Sequence, residues 1–483
     1  MAQKLYPMTV RILLPSLLLL ASCAHAPSAG PDSGQKHESA GTPALARYPV
    51  PAMHTKISAT TLANGLEVYV IPRPDLPLVS FRIGLRAGSA EDPQGKGGTA
   101  SLAASLLERG TKNRDALAIF RTIDGSGGSL EASAGRDMTT VSGDSLSTET
   151  PVLLSLASEM ISSPTFPEAE FSQKKANFMA SLIDAESHPG PRGTNLFYRL
   201  LFGHGPYGHP ATGTADSVSG ITRQDLVDFV AARYRPDRAV LVLAGDLTPT
   251  EGFTLARRYF GQWKPATSAA PPANRPSSLF PRAGVYLIDK PELRQSTVFY
   301  GTTGIARKDP SFYNALVFNM ILGASNTSTL THVIRQKMGL VYYIHTGLDA
   351  ERYPGPFLVN FQTHAPNTGK VLTEMDSLLD ASTKSPPSSE KVEEVKNELV
   401  GGFPFLMNTT PKLASLLLVV WSDRLGLTYF TDYPDQVRQV TPATALAAGQ
   451  SLLRGKSFVT VIVGPKKTLD KIGIKGQPEP KAF

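Results

Sequence analysis

The sequence predicts an α+β fold: two tandem, homologous α/β sandwich units, each with a mixed, largely antiparallel sheet covered by helices. The first observation behind this prediction is an internal repeat. Residues 68–76 (VYVIPRPDL) match residues 285–293 (VYLIDKPEL) at an offset of 217 residues (285 − 68). Near the end of each unit, residues 240–245 (VLVLAG) match residues 459–464 (VTVIVG) at an offset of 219 (459 − 240). An offset that persists across a whole half indicates a tandem duplication.

The second observation is the order of elements within a unit. Paired β-rich runs open the unit, helical stretches such as Glu168 to Asp184 and Arg223 to Arg233 follow, and an apolar strand closes it. This order is typical of an α+β sandwich. About 430 residues are also too many for one hydrophobic core, so at least two domains are expected. We place the boundaries as follows: first domain 56–265, Pro- and Ala-rich linker 266–281, second domain 282–472 and tail 473–483.

The N-terminus has the pattern of an export signal. Lys4 and Arg11 precede a short apolar run over residues 12–20. This run is too short to span a bilayer as a helix, and it predicts a signal peptide over residues 1–22. Residues 24 to 55 are rich in Ala, Pro, Gly and Ser without apolar periodicity. With Cys23 they predict a flexible tether over residues 23–55.

Cys23 is the only cysteine among 483 residues, and it stands at the end of the signal sequence. The segment LASC at 20–23 resembles the bacterial lipobox, in which the cysteine becomes a lipid-carrying N-terminus. An ordinary cleaved signal with an incidental cysteine is the alternative. We therefore expect an exported lipoprotein that is anchored to a membrane and faces the periplasm. Ala24, which is not acidic, favours the outer membrane.

Residues 98–111 (GTASLAASLLERGT) predict an amphipathic helix of about four turns. Its apolar stripe consists of residues at three- and four-residue spacing, namely Ala100, Ala103, Leu106 and Leu107. The opposite side carries Ser101, Ala104, Ser105 and Glu108. Taken alone, that second side is typical of a solvated helix face.

The flanking segments RAGSAEDPQGKGG and ERGT change this interpretation. With them, the window resembles the helix that carries HxxEH in the pitrilysin/insulinase family of zinc peptidases, which includes the mitochondrial processing peptidase. The segments GRDMTTVSGDSL, LFGHGPYGHPATGTADSV and ILGASNTSTLTHVIRQKMGLVYY also look like landmarks of that family. The resemblance covers nearly all of both units. It implies that the two units form half of a clamshell chamber.

The resemblance also locates the positions of the family's metal site. In the family, two His hold zinc, the Glu between them is the general base, and a Glu on a later helix is the third ligand. The matching positions hold Ser101, Ala104, Ser105 and Ser181. A hydroxyl is a poor zinc ligand and a methyl cannot accept a proton. No other pair among the nine His has HxxEH or HExxH spacing. We therefore expect no catalytic residue and no metal in this chain, and zinc in a partner subunit.

The second unit keeps a substrate-binding pattern of the family. The resemblance implies that Arg335 and Tyr342 hold the backbone carbonyls of a peptide. Arg offers a rigid fork of donors and Tyr one directional hydroxyl. Without the resemblance, they would be an exposed helix Arg and an edge-strand Tyr.

Two further motifs leave alternatives open. The cluster GSGGS at 125–129 is not a phosphate-binding loop, because no Gly-Lys-Ser/Thr follows it. The resemblance implies a substrate-pairing edge strand directly after it, whereas a Gly-rich hairpin turn is the alternative. His204 and His209 are five residues apart in a Gly/Pro loop, which is either a metal-binding pair or, as in the family, a structural loop.

Charge and motif content exclude other functions. The net charge of +7 falls to +5 when Lys4 and Arg11 leave with the signal, and the basic residues are dispersed, which argues against nucleic-acid binding. No G-x-S-x-G elbow is present. We predict a lipid-anchored, noncatalytic subunit that forms a heterodimer with an HxxEH-containing family subunit and positions peptides for it. Alternatives are a peptide-binding or assembly protein with no proteolytic partner, and a hydrolase with a rearranged site.

Overall fold

The computed structural model describes residues 56–264 and 282–480. The predicted signal peptide, Cys23 and the tether to residue 55 lie outside the described residues, and so does the whole predicted linker at 266–281. The sequence-based predictions for those segments therefore stay predictions.

The first half contains six strands and eight α-helices among its described residues. In chain order they are β1 (Ser58–Thr61), β2 (Glu67–Pro72), β3 (Leu78–Leu85), α1 (Thr99–Leu106), α2 (Ala116–Gly125), β4 (Ser129–Ala134), β5 (Thr139–Leu146), α3 (Thr150–Ser162), α4 (Glu168–Ser187), α5 (Pro189–Phe202), α6 (Ala215–Ser219), α7 (Arg223–Arg233), β6 (Ala239–Gly245) and α8 (Pro249–Phe260).

The second half contains six strands and seven α-helices among its described residues. In chain order they are β7 (Gly284–Asp289), β8 (Gln295–Thr303), α9 (Phe312–Asn319), β9 (Val341–Ala350), β10 (Pro354–His364), α10 (Thr368–Ser382), α11 (Ser389–Gly402), α12 (Thr410–Ser422), α13 (Tyr429–Arg438), α14 (Pro442–Leu453), β11 (Val459–Gly464), α15 (Lys466–Lys471) and β12 (Gln477–Pro478).

Local sequence explains many of these boundaries. Thr222, Thr248 and Thr441 each accept a hydrogen bond from the backbone N–H three residues later, which fixes the starts of α7, α8 and α14 as capping boxes. The predicted helix at 223–233 coincides with α7. The predicted helix at 98–111 is shorter, because α1 passes into a 3₁₀ turn at Leu107–Arg109.

Each half forms one six-stranded sheet, which confirms the predicted fold class. The strand orders are β1-β2-β6-β3-β5-β4 and β12-β7-β11-β8-β10-β9. Five strands occupy equivalent places in the two sheets, and both sheets mix one or two parallel pairs with antiparallel ones. The repeated apolar runs are the central strands β6 and β11, which are buried throughout.

The sixth strand differs between the halves. In the first sheet β1 pairs antiparallel with β2, whereas in the second sheet β12 pairs parallel with β7. β12 lies within the segment that the sequence analysis assigns to a tail, so the second sheet extends past residue 472.

Each half packs one helix against the sheet of the other half. α5 of the first half packs on β8 and β11 of the second sheet, and α12 of the second half packs on β3 and β6 of the first sheet. Glycine permits both contacts. A Cβ at Gly193 of α5 would lie 2.2 Å from the Phe299 ring, and one at Gly84 of β3 would lie 2.8 Å from Leu418 Cδ2. Each sheet therefore lies between its own helices and one helix of the other half.

Strand alternation separates the two faces of the first sheet. Phe81, Ile83 and Leu85 belong to the core formed with the helices of the first half. The intervening side chains point to the other face, where α12 lies. Among the described residues no single helix has the length and composition of a membrane span, although the bent pair Ser389–Leu406 and Thr410–Ser422 meets those criteria jointly.

Candidate functional site

The candidate site is centred on α1, which a buried carboxylate holds at its N-terminus. Asp92 Oδ2 accepts from the Gly98 N–H at 2.7 Å, and Oδ1 accepts from the Ala100 N–H at 2.8 Å. Burial raises the pKa of Asp92 to about 8, and these two N–H groups act in the opposite direction. Asp92 therefore fixes the start of the helix that carries Ser101, Ala104 and Ser105.

The hydroxyls at the family's metal positions are all directed at the protein's own backbone. Ser101 Oγ donates to Ala211 O at 2.6 Å and Ser105 Oγ to Leu102 O at 2.8 Å. Ser181, which is exposed on α4, donates to Phe178 O at 2.7 Å. Ala104 is fully buried and Ser101 is 8% exposed. This side of α1 is therefore packed, and the expectation of a solvated face is wrong.

This set of residues does not fit zinc. Three hydroxyls that already donate to carbonyls and one methyl offer neither imidazole nor carboxylate. Within residues 56–264 and 282–480, no three His, Cys, Asp or Glu side chains are grouped as a metal site requires.

The two histidines of the Gly/Pro loop have different environments. His204 is exposed, whereas the His209 ring is half-buried, with Nδ1 at 2.9 Å from Pro210 O. Burial lowers the pKa of His209, so its neutral form is favoured. Arg136 Nη1 donates to Tyr207 O and His209 O at 3.2 and 3.1 Å. These contacts give His209 a place in the packing of the loop.

The strand after the glycine cluster is a sheet edge. α2 ends at Gly125 and β4 begins at Ser129, so the cluster joins a helix to a strand and the hairpin-turn alternative is wrong. Among the described strands, β4 pairs only with β5. The Ala132 N–H on β4 donates to Glu108 Oε1 at 3.3 Å. Glu108 lies in the 3₁₀ turn directly after α1, the helix that carries Ser101, Ala104 and Ser105. Burial raises the pKa of the Glu108 carboxyl.

Arg335 and Tyr342 lie where the second sheet has its corresponding edge. Arg335 is exposed on π-helical turns at Thr331–Lys337, and Tyr342 is the second residue of edge strand β9, 65% exposed. With the residues of 56–264 and 282–480, the Arg335 guanidinium makes no hydrogen bond or ion pair. Both side chains are therefore accessible to a ligand.

The turn between β4 and β5 and the equivalent turn between β9 and β10 meet at a polar contact that sequence reasoning missed. Tyr207 O–H donates to Asp137 Oδ2 at 2.7 Å, and the Arg352 N–H donates to the same oxygen at 3.3 Å. Burial, and then the charge of Asp137, raise the pKa of Glu351 to about 8. Burial also raises the pKa of Asp423 to about 7. No local pattern signals this group, because its members come from four separate segments.

Comparison with known proteins agrees with this architecture. Residues 70–215 match the family model described as insulinase (peptidase family M16), and residues 220–399 match the model described as the peptidase M16 inactive domain. Together these spans cover more than half of the chain. The chain therefore belongs to the peptidase M16 family, the pitrilysin/insulinase family that its sequence resembles.

The individual relatives have low sequence identity to this chain over long alignments. An uncharacterised zinc protease of Streptomyces coelicolor is 24% identical over 423 residues, which cover 85% of this chain and 90% of that protein. A probable mitochondrial-processing peptidase subunit beta of Schizosaccharomyces pombe is 22% identical over 272 residues, 56% of this chain and 59% of that protein.

Solved structures confirm the two-unit fold. The crystal structure of a peptidase M16 inactive domain from Pseudomonas fluorescens has 27% identity and a TM-score of 0.78. The match covers 85% of this chain and 98% of that chain. The structure of a protease from Helicobacter pylori has 20% identity and a TM-score of 0.79, and the match covers 85% of this chain and 100% of that chain.

Proposed function

We propose that this chain is a lipid-anchored, noncatalytic subunit of a two-chain M16 zinc peptidase, in which it positions peptides for a partner that carries HxxEH. The observation that carries the proposal is a contrast within the chain. The hydroxyls of Ser101, Ser105 and Ser181 all donate to backbone carbonyls, whereas Arg335 and Tyr342 are exposed to solvent. Within the described residues, the chain thus combines two accessible hydrogen-bond donors, which we propose bind a peptide, with no metal-binding set.

The proposed binding groups suit a peptide of any sequence. A guanidinium presents several N–H donors and a phenol one O–H donor, and backbone carbonyls are the acceptors that every peptide carries. Arg335 directly precedes edge strand β9, and Tyr342 lies on it. An extended peptide held here would be oriented by its backbone, while the hydrolytic chemistry would come from zinc bound by the partner.

A membrane anchor is part of the same proposal. The LASC segment ending in Cys23 supports lipidation, and each buried acyl CH₂ contributes about 0.8 kcal/mol of membrane affinity. The tether to residue 55 would hold the two domains away from the lipid, on the periplasmic side of what we propose is the outer membrane. Cys23→Ser is expected to move the protein from the membrane fraction to the soluble fraction. Retention of the variant in membranes would contradict lipid anchoring at this residue.

The test of the subunit role starts from the solubilised native protein. Copurifying chains are identified by mass spectrometry, and peptide cleavage is assayed with and without a chelator. We expect an M16 partner with HxxEH and chelator-sensitive cleavage that requires both chains. Purification of the protein alone and inactive, with peptides bound but not cut, would instead support a peptide receptor or assembly protein.

The binding groups are tested in the reconstituted complex. Arg335→Ala combined with Tyr342→Ala should lower kcat/KM at least tenfold. Tyr343→Ala is the matched control, because Tyr343 is the next residue of β9, is also exposed, and points to the opposite side of the strand. Equal losses for both variants would show a structural effect, and unchanged turnover in the double variant would remove the substrate role.

A further inference from the structure

A cleft of about 360 Å³ opens where α12 ends over the first sheet. Glu67 and Tyr69 of β2, Arg86 after β3, and Trp421 with Arg424 at the end of α12 are among the residues that line it. It is on the sheet face that α12 covers, whereas α1 lies with the core helices on the other face. The cleft therefore lies on the opposite face of the first sheet from α1 and includes neither Arg335 nor Tyr342.

Arg86 is fixed against Trp421. Its Cζ atom lies 4.2 Å from the centroid of the Trp421 ring, and its Nη2 donates to Trp421 O at 3.3 Å. Glu67, the acidic residue of the cleft, accepts from Trp421 Nε1 at 2.8 Å and from the Tyr69 O–H at 3.0 Å. Across the part of the chain that the structure describes, neither Arg86 nor Arg424 forms an ion pair.

Arg424 occupies a backbone position that favours glycine. Its φ is +53°. The residue closes α12 in a Schellman motif: the Leu425 N–H donates to Val420 O at 2.9 Å, and the Arg424 N–H donates to Trp421 O at 3.1 Å. Glycine is the usual residue at this left-handed position, because a Cβ is strained there. Glycine at position 424 would therefore be less strained than the arginine that is present.

The two guanidinium groups are also close enough to repel each other. Burial, and then the charge of Arg424, lower the pKa of Arg86 to about 10. Arg352 and Arg238 act in the same direction, and Glu67 acts against them. Backbone strain and like-charge repulsion thus meet at one solvent-accessible cleft. An anion between Arg86 and Arg424 would offset the repulsion.

We propose that this cleft binds a small organic carboxylate with a short apolar chain. The two guanidinium groups would receive the carboxylate, and Leu427, which is 38% exposed, provides an apolar surface beside them, whereas Leu417 and Val420 lie buried behind the cleft. The volume is at the small end of ligand pockets, which suits one residue or a short acyl chain. A peptide C-terminus and a fatty acid share this chemistry.

The test is calorimetric titration of the purified full-length protein with two carboxylate probes, N-acetylleucine and hexanoate. N-acetylleucinamide, hexanamide and inorganic phosphate are titrated in parallel. We expect at least one carboxylate to bind at least tenfold more tightly than its amide and than phosphate, and the better probe identifies the source. Equal affinity for acid and amide, tighter binding of phosphate, or no binding of either carboxylate at millimolar concentration would overturn the proposal.

Two variants separate binding from folding. Arg424→Gly relieves the left-handed strain, so we expect a melting temperature equal to or above that of the wild type together with at least a tenfold loss of carboxylate affinity. Arg257→Gln, which removes an exposed arginine on α8, is the charge-matched control and should leave the affinity unchanged. Unchanged affinity in Arg424→Gly, or equal losses in both variants, would overturn the assignment.

Discussion

Ser101 Oγ donates to Ala211 O at 2.6 Å, so the first of the family's metal positions is joined to the loop that follows the GHGPYGHP segment. The hydrogen bond gives Ser101 a structural partner at the place where the family has a zinc ligand. Ala104, one turn later, is fully buried. The neighbourhood of α1 is therefore packed around small residues, and larger ones are expected to disturb it.

Restoring the family motif should destabilise this chain. Ser101→His with Ala104→Glu and Ser105→His inserts large polar groups into a packed site, and overpacking typically costs about 1–3 kcal/mol. We expect a lower melting temperature and no stoichiometric zinc, since a third ligand is still missing. Ser181→Glu alone changes an exposed position and should leave the melting temperature unaltered. A stable triple variant with one bound zinc would contradict this account of the site.

The exchange of helices between the halves depends on Gly193. A methyl group there would lie 2.2 Å from the Phe299 ring, so Gly193→Ala should separate α5 from the second sheet and lower stability by about 1–3 kcal/mol. Gly190 is the matched control on the same helix, because a Cβ there meets nothing within 4 Å. Gly190→Ala should be neutral or stabilising. Thermal unfolding of both variants checks the prediction, and equal melting temperatures would refute it.

The contact between the hairpin turns predicts a pH dependence of stability. The pKa of Glu351 rises from 4.5 to about 8 in the folded chain, so the folded state retains a proton that the unfolded state has released between these values. The free energy of unfolding should therefore decrease as pH rises from about 4.5 to about 8. Glu351→Gln should flatten this dependence and be more stable than wild type at pH 8. Urea unfolding at several pH values measures it, and parallel curves would contradict the assignment.

Glu108 protects the edge of the first sheet. Its carboxylate accepts from the Ala132 N–H on β4, and no described strand pairs with the outer edge of β4. Glu108→Ala should speed hydrogen exchange at Ala132 relative to the wild type. Glu131→Ala removes a neighbouring exposed carboxylate and serves as the control. If exchange at Ala132 is the same in all three proteins, Glu108 does not cover the edge.

Local patterns were sufficient for much of the fold. The helical stretch predicted at residues 223–233 coincides with α7, and the repeated apolar runs predicted β6 and β11. The exchange of α5 and α12 was not predictable, because it depends on pairs such as Gly193 and Phe299 that only the tertiary structure brings together. The cluster of carboxyl side chains that includes Asp137 and Glu351 was missed for the same reason.

The candidate site was predictable only in part. The resemblance to the family locates the substituted HxxEH positions by residue identity. It also implies a substrate role for Arg335 and Tyr342, which stays a prediction. The partners of the serine hydroxyls are backbone carbonyls, which carry no sequence signal. The predicted helix at 98–111 placed Glu108 on the same side as Ser101, although in the structure Glu108 belongs to the 3₁₀ turn that follows α1.

The most direct test of the subunit role is the zinc content and peptidase activity of this chain, alone and in complex with a copurifying M16 partner. We expect essentially no zinc and no cleavage for the chain alone, and about one zinc per heterodimer with chelator-sensitive cleavage for the complex. Stoichiometric zinc and peptide cleavage by the isolated chain would contradict the noncatalytic role.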